Sequence, residues 1–182
     1  MADIFWNSPA MEPKRKYRFT IEFGTESQDK LQKYMCRQIT KPSYSIGIQE
    51  HSFFDYNFRF PGRVTWDPIN AVFVDSVQHN TSNHLFSLLK QFGWVEPYKA
   101  KTEATISKQK QADVMGTQIL ITELTSTGGV AGKWKLNNPM ITRATFGDLS
   151  YADETLMECA IDITYDWAEY TLLAVGGPGS VV

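Results

Sequence analysis

The side chains best equipped for chemistry are the carboxylates Asp148, Asp153, Glu154, Glu158, Asp162 and Asp166, gathered in one stretch near the C-terminal end. A pair of them could serve a hydrolase as acid and base, and a loop of them could hold calcium. Their spacing argues otherwise. Glu158, Asp162 and Asp166 recur at even intervals among Met157, Cys159, Ile161, Ile163, Tyr165 and Trp167, as on the wet face of a half-buried strand. The loop before them lacks the dense Asp/Asn-Gly pattern of a calcium site. His79 and His84 stand five apart at a predicted helix start, about 140° apart around its axis, which does not chelate one metal; with His51 they read as solvated histidines. Cys36 and Cys159 are far apart and fall within apolar-patterned segments, so two buried thiols in a reducing compartment are expected. No nucleophile elbow, P-loop, dinucleotide fingerprint or zinc spacing is present. The expectation is a protein that is not an enzyme and carries no cofactor or metal.

At 182 residues the chain suits one domain, which could bury roughly 70% of the surface its unfolded chain exposes. A formal charge of -2 offers no global basic field for gripping phosphates, so specific nucleic-acid binding is disfavoured. The N-terminus lacks a basic region followed by a long apolar run, and no 18 consecutive apolar residues occur, so a cytoplasmic protein without membrane insertion is expected. Asn80-Thr81-Ser82, formally a glycosylation sequon, then reads as a helix start.

The elements that must position these residues are mostly strands. Residues 1–16 form an arm that mixes Phe5 and Trp6 with Lys14-Arg15-Lys16 without any period. Tyr17 to Phe23 alternates strictly, and Leu31 to Thr40 is a second strand ended by Lys41-Pro42. Ser43 to Gly47 reads as a loop. His51 to Phe60 reads as one strand with Phe54, Tyr56, Phe58 and Phe60 on a single face, which implies a wide core or a subunit contact. Pro61-Gly62 and Asp67-Pro68 are turn signals, and Ile69 to Asp75 is a short buried strand. One helix is predicted over about 80–93, from Leu85, Phe86, Leu88, Leu89 and Phe92, with caps at Asn80 to Ser82 and a stop at Gly93. Residues 95–114, bearing Lys99, Lys101, Lys108 and Lys110, read as a long surface loop or a partly helical excursion. Thr117 to Leu124, two pieces of Lys133 to Phe146 hinged at Asn137-Asn138-Pro139, and Thr155 to Trp167 complete the strands; residues 176–182 form a glycine-rich tail. The domain proper is thus residues 17–175.

Amphipathic strands around a single helix leave sheet edges, which pair with other chains unless covered. Copies joined edge to edge close into rings, and rings stacked with a fixed rotation make a tube. The aromatic arm (Phe5, Trp6) and the lysine-bearing loop (Lys99, Lys101, Lys108, Lys110) are candidate contacts between rings. A small β-barrel enzyme or ligand carrier is the competing reading, which a ligand-binding assay would reveal.

Several stretches carry a resemblance: YRFTIEF, the Ile-Thr-Lys-Pro that ends the second strand, FRFPGRVTWDPINAVFVDS with its Trp66-Asp67-Pro68 and Asp75, Phe92-Gly93-Trp94, and PMITRATFGDLSYADETLMECAIDITYDWAEY. From about Tyr17 to Tyr170 the chain resembles the tail tube proteins of contractile-tail bacteriophages (myophages). That resemblance implies a mainly β fold, a small antiparallel β-barrel or sandwich with one flanking helix, assembled as stacked hexameric rings. It also implies a place in the virion tail after assembly in the host cytoplasm, with sheath, baseplate and tail terminator proteins as partners. The implied channel passes DNA without specific binding, and an acidic lining suits that because like charge suppresses phosphate capture. Glu158, Asp162 and Asp166 are the candidate lumen-lining residues, with Arg18 and Arg59 competing on other strands. A baseplate tube initiator, or a tube protein of a type VI secretion or extracellular injection system, is the alternative.

Overall fold

The computed structural model describes residues 13–23, 35–78, 80–99 and 105–172. Ten strands and two helices follow one another as β1 (Phe19–Phe23), β2 (Cys36–Ile39), β3 (Tyr44–Phe53), β4 (Tyr56–Trp66), β5 (Ile69–Val74), α1 (Thr81–Gln91), α2 (Lys108–Met115), β6 (Gln118–Leu124), β7 (Val130–Asn137), β8 (Met140–Thr145), β9 (Glu158–Thr164) and β10 (Trp167–Leu172). The strands form two four-stranded sheets, β1-β6-β7-β10 and β2-β5-β9-β8, and a separate hairpin, β3-β4. All pairings are antiparallel. The expected mainly β sandwich is borne out.

The core follows from alternation. On β9, Cys159, Ile161 and Ile163 are fully buried while Glu158, Ala160, Asp162 and Thr164 are not, the pattern of a strand with one face on the core. Ile69, Ala71 and Phe73 of β5 meet them from the same sheet, and Ile21, Ile119, Ile121 and Leu136 come from the other. Helix α1 covers the core with Leu85, Leu88 and Phe92, which recur at helical spacing.

The caps of α1 explain its limits. The Asn80 side chain accepts from the Asn83 N–H at 2.7 Å. At the other end Gly93, at φ +107°, donates to Lys90 O, and Trp94 donates to Leu89 O, which is the paired bonding of a Schellman stop. Asp75, just beyond β5, accepts from the Thr81 N–H at 2.7 Å and from the Ser82 hydroxyl at 2.6 Å. Burial raises the Asp75 carboxyl, but Ser82 and the surrounding backbone N–H groups outweigh it and hold the group below the usual carboxylate range.

Five sequence expectations are corrected. Residues 43–47 are largely strand, since β3 begins at Tyr44, and the stretch His51 to Phe60 is not one strand but turns back at Phe54-Asp55. Pro61-Gly62 is not a turn: it lies inside β4, where two residues bulge opposite Gly47, and a Cβ on Gly62 would sit 2.9 Å from Gly47 O. The final strand is shorter than Thr155 to Trp167, because β9 stops at Thr164 and the chain crosses to the other sheet to begin β10. The stretch 95–114 ends in a second helix, α2, capped by the Ser107 hydroxyl, which accepts from the Lys110 N–H. Phe5, Trp6, Lys101 and the tail 176–182 lie outside the described residues.

Asp75 thus ties β5 to the first turn of α1. Replacing it (Asp75→Ala) should cost about 1–2 kcal/mol of domain stability, a cap plus one hydrogen bond, read as a lower urea midpoint with an unchanged slope. An unchanged midpoint would show that Asn80 alone starts the helix.

Candidate functional site

The hairpin β3-β4 is the part of the domain that the core does not use. Every residue of β3 is exposed, and nine large apolar side chains stand in solvent between Tyr44 and Val64. The register divides them. Beyond the bulge, Phe53, Tyr56, Phe58 and Phe60 lie on one face with Gln49 and His51, while on the opposite face Ile48 and Pro61 are followed by polar pairs: Glu50 pairs with Arg59 at 2.9 Å and the Ser52 hydroxyl bonds Asn57 at 2.7 Å. Nearer the body, Tyr44, Ile46 and Val64 cover the other face. Apolar side chains therefore point both ways. Phe54 occupies the tip at φ 52°, a conformation strained for an aromatic residue, and is 88% exposed.

The root of this hairpin is fixed. The Asp67 N–H donates to Ser43 O at 3.0 Å, and the Ser43 hydroxyl donates to the Asp67 carboxylate at 2.8 Å. Tyr44 packs edge-on to Trp66, and Trp66 packs against the buried Tyr165, so the hairpin base is held to the end of the core.

A second construction ties both sheets together. Glu123 of β6, almost fully buried, receives Lys14 at 2.5 Å from the segment before β1 and Lys41 from the segment after β2. Burial raises its carboxyl, but the hydrogen bonds of Lys14 and Lys41 outweigh that and leave it below the ordinary value. Tyr170 of β10 lies across Gly132, where a Cβ would meet its hydroxyl at 2.2 Å, and that hydroxyl accepts from Lys14 at 2.8 Å. Gly132 is therefore a packing requirement in β7.

The residues singled out by sequence fall in three places. Glu158 and Asp162 share the outer face of the β2-β5-β9-β8 sheet, but not as an unbroken acidic row. Glu158 pairs with Arg37 of β2, and Asp162, which accepts from Asn70 at 2.7 Å, stands opposite Arg143 of β8. Asp166 lies off that face, at the corner between β9 and β10, where Lys108 and Asn138 bond it and hold its carboxyl low. Lys108 at the start of α2 thus belongs to the same contact as one of the acids. Lys99 pairs with Glu96 at 2.7 Å; Lys99 and Tyr98 hold that carboxyl down at about 2. Lys110 donates to Thr105 O at 3.3 Å.

Cys159 is buried and Cys36 half-buried, and both are free thiols; burial pushes Cys36 up to about 11, away from the reactive range. Among the described residues no three His, Cys, Asp or Glu side chains gather as a metal site, and no helix is long and apolar enough to cross a membrane.

Solved structures share this architecture. A chain of the anti-feeding prophage cap, described as a tube-terminating cap, superposes with a TM-score of 0.61 at 16% identity, over 95% of this chain and 100% of that one. A chain of the PVC sheath-tube complex, from an extracellular contractile injection system in its extended state, gives 0.61 at 15% identity over 88% and 93%. A chain of the anti-feeding prophage baseplate gives 0.57 at 12% identity over 90% and 99%. The fold is one used in contractile injection machines. No protein-family model and no curated protein matches the chain. At these identities the likeness establishes the fold, and the injection-machine fold extends over nearly the whole chain.

Glu123 missed detection in the sequence because it sits among Ile119, Ile121 and Leu124 with its partners far away in the chain. Its removal supplies a test. Glu123→Gln should cost about 1–3 kcal/mol at neutral pH, the range for a charge-assisted hydrogen bond. Its folded carboxyl lies below the unfolded value, so its stabilisation is full above about pH 4.3 and fades as the pH falls through the folded value. Urea midpoints of the two proteins should therefore converge in acid; a constant gap across pH would contradict the charge pairing.

Proposed function

We propose that this chain is a structural, non-catalytic subunit of the inner tube of a contractile tail, and that six copies close into a ring and rings stack into a channel for genome delivery. The observation that carries the reading is the hairpin β3-β4, whose apolar side chains face both ways with no core of their own. Exposed apolar area on this scale marks a protein contact. The sequence resemblance to myophage tube proteins and the fold shared with tube and cap assemblies support the same conclusion. Sheath, baseplate and terminator proteins are the partners this role requires.

The outer face of the β2-β5-β9-β8 sheet, with Glu158 and Asp162, is assigned to the bore. Its two carboxylates stand beside Arg37 and Arg143, so the lining is near neutral and DNA slides because no excess of cations retains it. Asp162→Lys should leave the subunit folded and make assembled tubes retain DNA at low salt but release it at high salt. Equal DNA retention by both proteins would remove this face from the bore.

A second reading has its own support. The likeness to the extracellular injection and cap structures fits a tube or terminating subunit of such a system equally well, with a protein cargo in place of a genome. Native particles carrying DNA in the bore support the tail reading, and DNA-free particles with a protein cargo support the other.

The assembly claim is tested at the hairpin. Phe58→Asp and Phe60→Asp together change two exposed side chains, so far-ultraviolet circular dichroism and the thermal midpoint should stay near those of the unmodified protein. Assembly, followed by sedimentation and electron microscopy, should require at least about tenfold more protein, since each buried Phe is worth about 1.5–3 kcal/mol. Undiminished rings or tubes would reject the hairpin as an assembly surface.

A further inference from the structure

Between the edge strands β1 and β2 lies a cleft of about 730 Å³, lined by Lys14, Arg15, Lys16, Arg18, Arg37 and Lys41 against a single carboxylate, Glu123. Lys14 and Lys41 meet Glu123, and Arg37 meets Glu158, which leaves the cleft strongly basic in a chain whose overall charge is -2. Such a cleft calls for an anionic occupant. The same chain carries one. Between β8 and β9, residues 146–157 are exposed throughout; they include Asp148, Asp153 and Glu154 and no Lys or Arg. Leu149, Tyr151 and Leu156 stand in solvent in the same loop, Leu149 85% and Leu156 71% exposed, so the segment also has apolar surface to bury.

The topology places the two features apart. In the sheet β2-β5-β9-β8 the cleft flanks β2 at one edge and the loop springs from β8 at the other. A displacement across the sheet therefore brings the loop of one copy to the cleft of the next. Because the two surfaces differ, the contact is heterologous and propagates around a closed ring or along a stack.

We infer that the basic cleft between β1 and β2 receives the acidic 146–157 loop of a second copy of this chain. This rests on the proposed assembly and names one of its contacts. Asp153 and Glu154 meet Arg15 and Lys16, both exposed at the cleft, while Leu149 and Tyr151 bury against Phe19 and Ile39 at the cleft walls. Charge supplies the register and partner choice, and the apolar side chains supply most of the affinity.

A charge swap tests it. Arg15→Glu with Lys16→Glu, and separately Asp153→Lys with Glu154→Lys, should each raise the concentration needed for assembly by about tenfold or more, and all four changes on one chain should restore it. A synthetic peptide of residues 146–157, titrated onto dispersed subunits, should bind in a salt-dependent way and lose that binding on the Arg15/Lys16 variant. Assembly of the unmodified protein with both reversed variants assembling equally well overturns the contact and leaves the tube reading standing. Loss on reversal without rescue by the fourfold change also overturns it, as does a peptide that does not bind. If the unmodified protein never assembles but the peptide binds as described, the contact stands and the tube reading falls.

Discussion

A two-stranded hairpin in water has no buried face, and isolated hairpins are marginal at best. Here β3 and β4 carry Phe53, Tyr56, Phe58 and Phe60 on one face and Tyr44, Ile46, Ile48 and Val64 on the other, joined through a tip where Phe54 holds a positive φ. Neither face has a partner strand or helix among the described elements. Among the described residues no other element holds this hairpin in one shape, and in the proposed assembly neighbouring copies do so. That feature links the fold to the proposed function: the described residues form a core but leave this hairpin uncovered.

The rest of the molecule serves to aim that surface. The crossing at Tyr165-Asp166 lets one run of chain end one sheet and begin the other, and Tyr165 at the crossing supports Trp66 at the hairpin root. Asp166 fixes the same corner through Lys108 of α2 and Asn138 of the β7-β8 bend. Asn138 takes φ 53°, which its short polar side chain tolerates better than most. Glu123 closes the opposite side by joining the segments before β1 and after β2. In the proposed assembly the hairpin, the cleft and the acidic loop, which lie outside these bonded corners, meet other copies.

Much of this was legible in the sequence where one physical signal dominated. Alternation placed β1 and the buried side of β9, short apolar runs placed β5 and β6, and Asn80 and Gly93 bounded α1, because caps, runs and periodicity are local properties. The hairpin was not legible as such. Its tip, Phe54-Asp55, lacks the glycine or asparagine that a positive φ normally attracts, and Pro61-Gly62, which leads into the bulge at Gly62-Arg63, has the composition of a turn. Helix α2 has few apolar residues and depends on Ser107 and on docking, where Gln111 accepts from the Ile141 N–H of β8. Among the candidate site residues, Glu158 and Asp162 were placed correctly on an outward face, but the flanking arginines come from strands distant in sequence. Asp166 looked like the next member of their row because alternation continues through Tyr165 while the sheet changes.

In the proposed tube, neighbouring copies cover the β3-β4 hairpin. Hydrogen–deuterium exchange of dispersed and assembled protein measures this at the backbone, since the outward N–H groups of β3 and β4 exchange freely unless another chain covers them. Residues 44–66 should gain strong protection only on assembly, while β5 and β9 are protected in both states. Assembled protein whose hairpin exchanges as fast as in the dispersed subunit would contradict it.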